Sequence, residues 1–172
     1  MRRDELLDAA EEILCDQGSA ALTLAAVADR AGVSKGGLLY HFNSKEALIK
    51  AMAERLIDDF DQLMAEQPDD TYTERYLGAT LAAVRSGRLR RWAVVTGASG
   101  NIYLLAPLRE AMARWHREGL DEEPDRLASQ IVRLACEGLW DVSSHDPGLS
   151  TEDDLVALEA RLRNLLKPEA MP

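Results

Sequence analysis

Thr23-Leu24-Ala25-Ala26-Val27-Ala28-Asp29-Arg30-Ala31-Gly32-Val33-Ser34-Lys35-Gly36-Gly37-Leu38-Leu39-Tyr40-His41-Phe42 is the stretch on which the reading turns. Thr23 suits a helix N-cap, because its hydroxyl can accept from a backbone N–H at the start of the next turn. The helix it opens runs through Val27 and Ala28 to Ala31. Gly32 stops it, since a residue without Cβ takes positive φ freely and lets the chain leave at a steep angle. Ser34 then caps a second short helix that ends at His41 or Phe42. Val27, Ala31, Val33, Leu38 and Phe42 offer a small shared core, with Leu38 and Phe42 four apart on one face. Two short helices folded at a glycine over such a core make a helix-turn-helix.

The other face of the second helix shows Lys35, Gly36, Leu39 and Tyr40, with Ser34 and Gly37 in its first turn and His41 at its end. Two adjacent glycines cost a helix about 1 kcal/mol each relative to alanine. A purely structural helix rarely accepts that. A surface that must come close to a DNA backbone or a base edge has a reason to. Free N–H groups at the helix start suit phosphate. Thr23 and Lys45 sit at two further helix starts, placed to clamp phosphates on either side of the reading helix. The candidate DNA contacts are therefore Thr23, Ser34, Lys35, Gly36, Gly37, Leu39, Tyr40, His41 and Lys45.

Outward from this stretch the pattern stays helical. Residues 4–16 form an amphipathic helix with Leu6, Ala9, Ala10, Ile13 and Leu14 at helical spacing, closed by Gly18. Ser44 caps a long helix over 46–64, with Leu48, Met52, Leu56, Phe60 and Met64 at steps of four. After the loop Gln67-Pro68-Asp69-Asp70, helices are expected over 71–84, 90–98, 108–118, 125–142 and 152–166. Ser86-Gly87, Gly119 and His145-Asp146-Pro147-Gly148 separate them, and Thr151 caps the last. No alternation of Val, Ile and Thr marks a strand. The expectation is an all-α chain of about nine helices: a three-helix helix-turn-helix domain over residues 1–47, joined to a helical domain over 48–172.

Composition narrows the function. The chain has 172 residues, 47% of them hydrophobic, and its six prolines and 11 glycines are too few for a disordered or fibrous class. Met1-Arg2-Arg3-Asp4-Glu5 has no apolar signal core. No apolar run reaches the roughly 18 residues of a membrane span, so a cytoplasmic protein without membrane contact is expected. Cys15 and Cys136 read as core thiols rather than a disulfide or zinc framework. His116 and His145 lack metal-ligand neighbours, no Ser/His/Asp or Cys/His set is identifiable, and no strand precedes Gly97-Ala98-Ser99-Gly100-Asn101 to make it a phosphate loop. Neither a cofactor nor an enzyme is expected. The net charge of −10 opposes nucleic-acid binding, but its distribution does not. Residues 19–50 carry four bases (Arg30, Lys35, Lys45, Lys50) against two acids (Asp29, Glu46), and that locally basic segment is the one with the motif.

The segment resembles the DNA-binding domain of the TetR family of bacterial transcriptional regulators. The resemblance rests on Thr23-Leu24, Val27-Ala28, Ala31-Gly32-Val33-Ser34-Lys35-Gly36, Leu38, Tyr40-His41-Phe42 and Ser44-Lys45-Glu46-Ala47-Leu48, and covers residues 4–50. Position 39, often Tyr in the family, is Leu here, so any contact there is apolar, for instance to a thymine methyl. The resemblance implies a homodimer on a palindromic operator, more often a repressor, released when a small molecule fills a C-terminal pocket and shifts the fourth helix. It also implies a dimer interface on the last two helices. Here that falls on Leu127, Ile131, Leu134 and Leu139, then Leu155, Leu158, Leu162 and Leu165. Trp92, Tyr103, Met112, Trp115, His116 and Trp140 are the bulky side chains available to line the pocket, though such residues also fill cores. The alternative is a dimeric ligand-binding or interaction protein without operator binding.

Overall fold

The computed structural model describes residues 3–98, 105–146, 148 and 151–167. Among these residues the regular structure is nine α-helices and one short 3-10 helix, with no strand. The helices are α1 (Arg3–Gln17), α2 (Leu24–Arg30), α3 (Lys35–His41), α4 (Lys45–Ala65), α5 (Tyr72–Arg85), α6 (Leu89–Ala98), α7 (Ala106–Arg117), α8 (Arg126–His145) and α9 (Glu152–Leu165). The 3-10 turn at Leu120–Glu122 precedes α8; three residues carry no period, so sequence patterning passes over it. Thr71 and Asp125, expected inside helices, stand just outside as N-caps whose side chains accept from Glu74 N and Ala128 N. α8 runs nearly a turn beyond the expected end at Val142, because Ser143 is buried and no helix breaker intervenes before Asp146.

The chain divides into two compact units. The first comprises Met1–Asp58 with Arg91–Glu110. Its core is Leu6, Leu7, Ala10 and Ile13 of α1, Leu22, Val27, Leu38 and Phe42 of the α2–α3 pair, and Leu48, Met52 and Leu56 of α4. The second comprises Asp59–Arg90 with Ala111–Pro172. There α5 packs along α8, and the Phe60 ring meets Tyr76, Trp115 and Trp140 edge-on at centroid distances of 5.6, 4.7 and 4.8 Å.

A buried charge ties the second unit together. The Arg133 guanidinium is fully buried, and its Nη1 donates to the carbonyls of His116 (2.9 Å) and Glu118 (2.8 Å) at the end of α7. Helix-end carbonyls lack intrahelical donors and carry the negative end of the dipole, so a cation fits there on both counts. Arg133 Nε donates to Thr73 Oγ1 (2.9 Å) and Nη2 to Glu123 Oε1 (3.2 Å), while its flat face covers the Tyr72 ring. The same Glu123 oxygen accepts from Thr73 N and Oγ1, which satisfies the start of α5.

The leucine stripes of α8 and α9, expected to form a dimer surface, split between two faces. Leu139, Leu155 and Leu162 are buried within their own unit, and Leu158 is half-buried. Leu127, Ile131, Leu134 and Leu165 remain exposed, Leu127 at 66%. The helical turn explains it. Twelve residues at about 100° each carry Leu139 roughly 120° round from Leu127.

Candidate nucleic-acid interface

The α2–α3 pair is built from its caps. Thr23 has extended backbone, and its Oγ1 accepts from Ala26 N at 3.1 Å. At the other end of α2, Gly32 takes φ +70°, and Val33 N donates back to Ala28 O at 2.8 Å. Ser34 Oγ accepts from Gly37 N at 3.1 Å and starts α3. Val27, Leu38 and Phe42 are sealed beneath the turn, whereas Ala31 and Val33 are half-buried, so the shared core is three residues with a partly open edge.

The outer face of α3 is as open as its sequence suggests. Lys35, Gly36 and Gly37 are exposed, Leu39 is 40% and Tyr40 86% exposed, and half-buried His41 stands edge-on to the Tyr40 ring at 5.2 Å. A phenol left almost wholly in water contributes little to folding. The two glycines have ordinary negative φ. A Cβ at Gly36 would meet only Ser34 Oγ at 3.9 Å, and one at Gly37 the same oxygen at 3.4 Å, both ordinary contacts. Neither backbone nor packing requires glycine there. Lys45 is half-buried and its Nζ lies 3.3 Å from the Ser19 carbonyl, which holds the ammonium beside the loop that leads into α2. Arg30 turns away to Glu12 (3.1 Å) and Asp16 (3.4 Å) on α1.

Of the six side chains expected around a ligand, five lie among the described residues. Trp115 and Trp140 lie together in the aromatic core of the second unit, with their indole N–H groups donated to Asp61 Oδ1 (2.6 Å) and Thr80 Oγ1 (3.1 Å). Trp92 is buried in the first unit, and Tyr103 lies outside the described residues. Met112 and His116 share a groove of about 400 Å³ with Ala113, Arg117, Leu134 and Glu137, where His116 Nδ1 is 3.0 Å from Glu137 Oε1. A more polar cleft of about 460 Å³, between Thr71, Tyr72 and Arg75 on one side and Glu118, Glu122 and Glu123 on the other, drew no notice in the sequence. No helix among the described residues is long and apolar enough to cross a membrane.

A bihelical head with capped helices, a glycine turn and an open outer face, on an all-helical chain, defines a protein of the helix-turn-helix regulator class. The family model for bacterial regulatory proteins of the tetR family matches residues 6–52, and that for the Tetracyclin repressor-like C-terminal domain matches residues 70–167. The chain belongs to the TetR family. It is 40% identical over 58 residues to the HTH-type transcriptional repressor KstR2 of Rhodococcus jostii, covering 34% of this chain and 28% of that protein. It is 47% identical over 58 residues to the HTH-type transcriptional activator FasR of Mycolicibacterium smegmatis, covering 34% of this chain and 26% of that protein. The aligned part thus spans under a third of the length of either curated relative. Along nearly its whole length the fold resembles that of a transcriptional regulator from Rhodococcus sp. Rha1, with TM-score 0.73, 20% identity and 96% of each chain covered.

Proposed function

We propose that the protein regulates transcription, more often by repression, binding a palindromic operator as a homodimer and leaving it when a small molecule binds. Residues 1–47 act as the reading domain and the remainder as the effector and dimer domain. The observation that carries this reading is the outer face of α3, where Gly36, Leu39 and Tyr40 are exposed without a folding reason. Lys35 supplies charge to phosphate or a guanine edge. The hydroxyls of Thr23 and Ser34 already accept from their cap N–H groups, which leaves each O–H to donate to phosphate. Lys45 spends one donor on Ser19 and keeps two. Gly36 and Gly37 let the backbone approach, Leu39 meets a thymine methyl, and Tyr40 and His41 complete the face.

The exposed Leu127, Ile131 and Leu134 on α8 support a two-fold partner, and a symmetric dimer matches a palindrome. Repression needs only occupancy of the operator, whereas activation needs a further contact; KstR2 is named a repressor and FasR an activator. Release follows if the effector prefers a state whose heads no longer fit both half-sites.

The test is salt dependence of binding to duplex DNA by fluorescence anisotropy. Affinity should fall steeply with salt, and Lys35→Ala should reduce the logarithmic slope by about one. Arg117→Ala, in the second unit, should leave it unchanged. A flat salt response in the wild type, with the protein folded, would move the weight to a dimeric ligand-binding protein.

A further inference from the structure

Glu11 departs from its surroundings. The other acids of α1 are exposed, but the Glu11 side chain is only 10% accessible. Two guanidiniums from different helices reach it. Arg55 of α4 places Nη2 2.5 Å from Oε1, and Arg91 of α6 places Nε 2.7 Å from Oε2 and Nη2 3.3 Å from Oε1. Asp8 takes Arg55 Nη1 at 2.6 Å, and the four charges sum to zero. Burial opposes the Arg55 charge, but Glu11 and then Asp8 outweigh it and raise its pKa, so the cation persists.

All four residues belong to the first unit. α1 packs on α2, and α2 on α3. Either guanidinium alone would pair the carboxylate; both are drawn to it, which makes Glu11 the node joining α1, α4 and α6. The division between the units falls between Arg90 and Arg91, so the clamp acts on α6 at the first residue belonging to the head's unit. An ion pair buried to this degree resists rearrangement far more than an exposed one.

We propose that Glu11, Arg55 and Arg91 are positioning residues that fix the head's attitude to α4 and α6, and thereby determine which half-site spacing the dimer accepts. This rests on the reading of the protein as a dimer on a palindrome.

The experiment uses palindromes whose half-sites are moved together or apart by one and two base pairs. The full-length wild type should prefer one spacing sharply. In Arg91→Ala the ratio of affinities between the best and the altered spacings should fall by about tenfold, while binding to an isolated half-site is unchanged. Arg91→Lys, which keeps the charge but loses the fork, should fall between. Glu11→Gln alone should also lower the ratio, and combined with Arg91→Ala should lose less than the two single losses added, because the two changes share the Glu11–Arg91 link. A merely structural role would weaken binding at every spacing in proportion and leave the ratio intact. An intact ratio in Arg91→Ala, or in Arg91→Lys and Arg91→Met if the alanine variant does not fold, overturns the proposal. A wild type that prefers no palindrome overturns the DNA-binding reading and this proposal with it, a result distinct from an intact ratio.

Discussion

Gly36 separates what folding needs from what binding needs. Its φ is ordinary and a Cβ would meet nothing closer than 3.9 Å. Gly36→Ala should therefore stabilise α3 by up to about 1 kcal/mol, visible as a raised melting temperature, while DNA affinity falls. A variant both more stable and equally tight on DNA would remove the close-approach account of that glycine. Arg133 makes the opposite case. Arg133→Met would leave Glu123 without its cation and the α7 carbonyls without donors, a loss of about 3–5 kcal/mol expected for breaking one partner of a buried pair. Denaturant titration reads it directly. The cysteines differ in the same way. Burial pushes the Cys136 thiol up to about 12, against a smaller opposing effect of its hydrogen bond with Thr80, while Cys15 is half-exposed. Maleimide at pH 8 should modify one thiol per native chain and two per unfolded chain, because the thiolate is the reactive species.

At the scale of elements, α9 depends on its first turn. Thr151 and Asp154 form a capping box, with Thr151 Oγ1 accepting from Asp154 N and the Asp154 carboxylate accepting from Thr151 N and Oγ1. Those hydrogen bonds hold the Asp154 pKa below its ordinary value, the side-chain bond contributing most. A depressed carboxylate stabilises the fold above its unfolded pKa and loses that contribution as pH falls through the folded one. Amide exchange in α9 should accelerate on acidification, and Asp154→Asn should flatten that response. Thr151→Ala should cost about 1 kcal/mol near neutral pH, and less once Asp154 is protonated, because the hydroxyl also donates to that carboxylate. Caps such as Thr23, Ser34, Ser44 and Thr151 were legible in the sequence because cap and partner lie within one turn. Glu11 with Arg91, and Arg133 with Thr73, were not. Their partners stand 80 and 60 residues apart, and a charge on an amphipathic helix looks solvated until the opposing helix is known. The leucine stripes were half legible. Their spacing marked helices, but which arc its own chain covers emerged only with the packing of α5 and α9 on α8.

For the whole molecule, the net charge of −10 and the locally basic 19–50 segment act on different things. On the proposed reading, the acidic excess repels DNA from most of the surface and leaves the outer face of α3 as the favoured approach. In the proposed dimer, two-fold pairing through the exposed arc of α8 would add the second half-site. Leu127→Asp with Leu134→Asp should give a monomer by sedimentation that has lost tight binding to a palindrome and keeps only weak binding to a half-site. The most direct measurement is selection of bound duplexes from a random DNA pool by the purified protein at near-physiological salt. The account predicts enrichment of a single palindromic sequence. A folded, dimeric protein stripped of bound small molecules that enriches no sequence would contradict it.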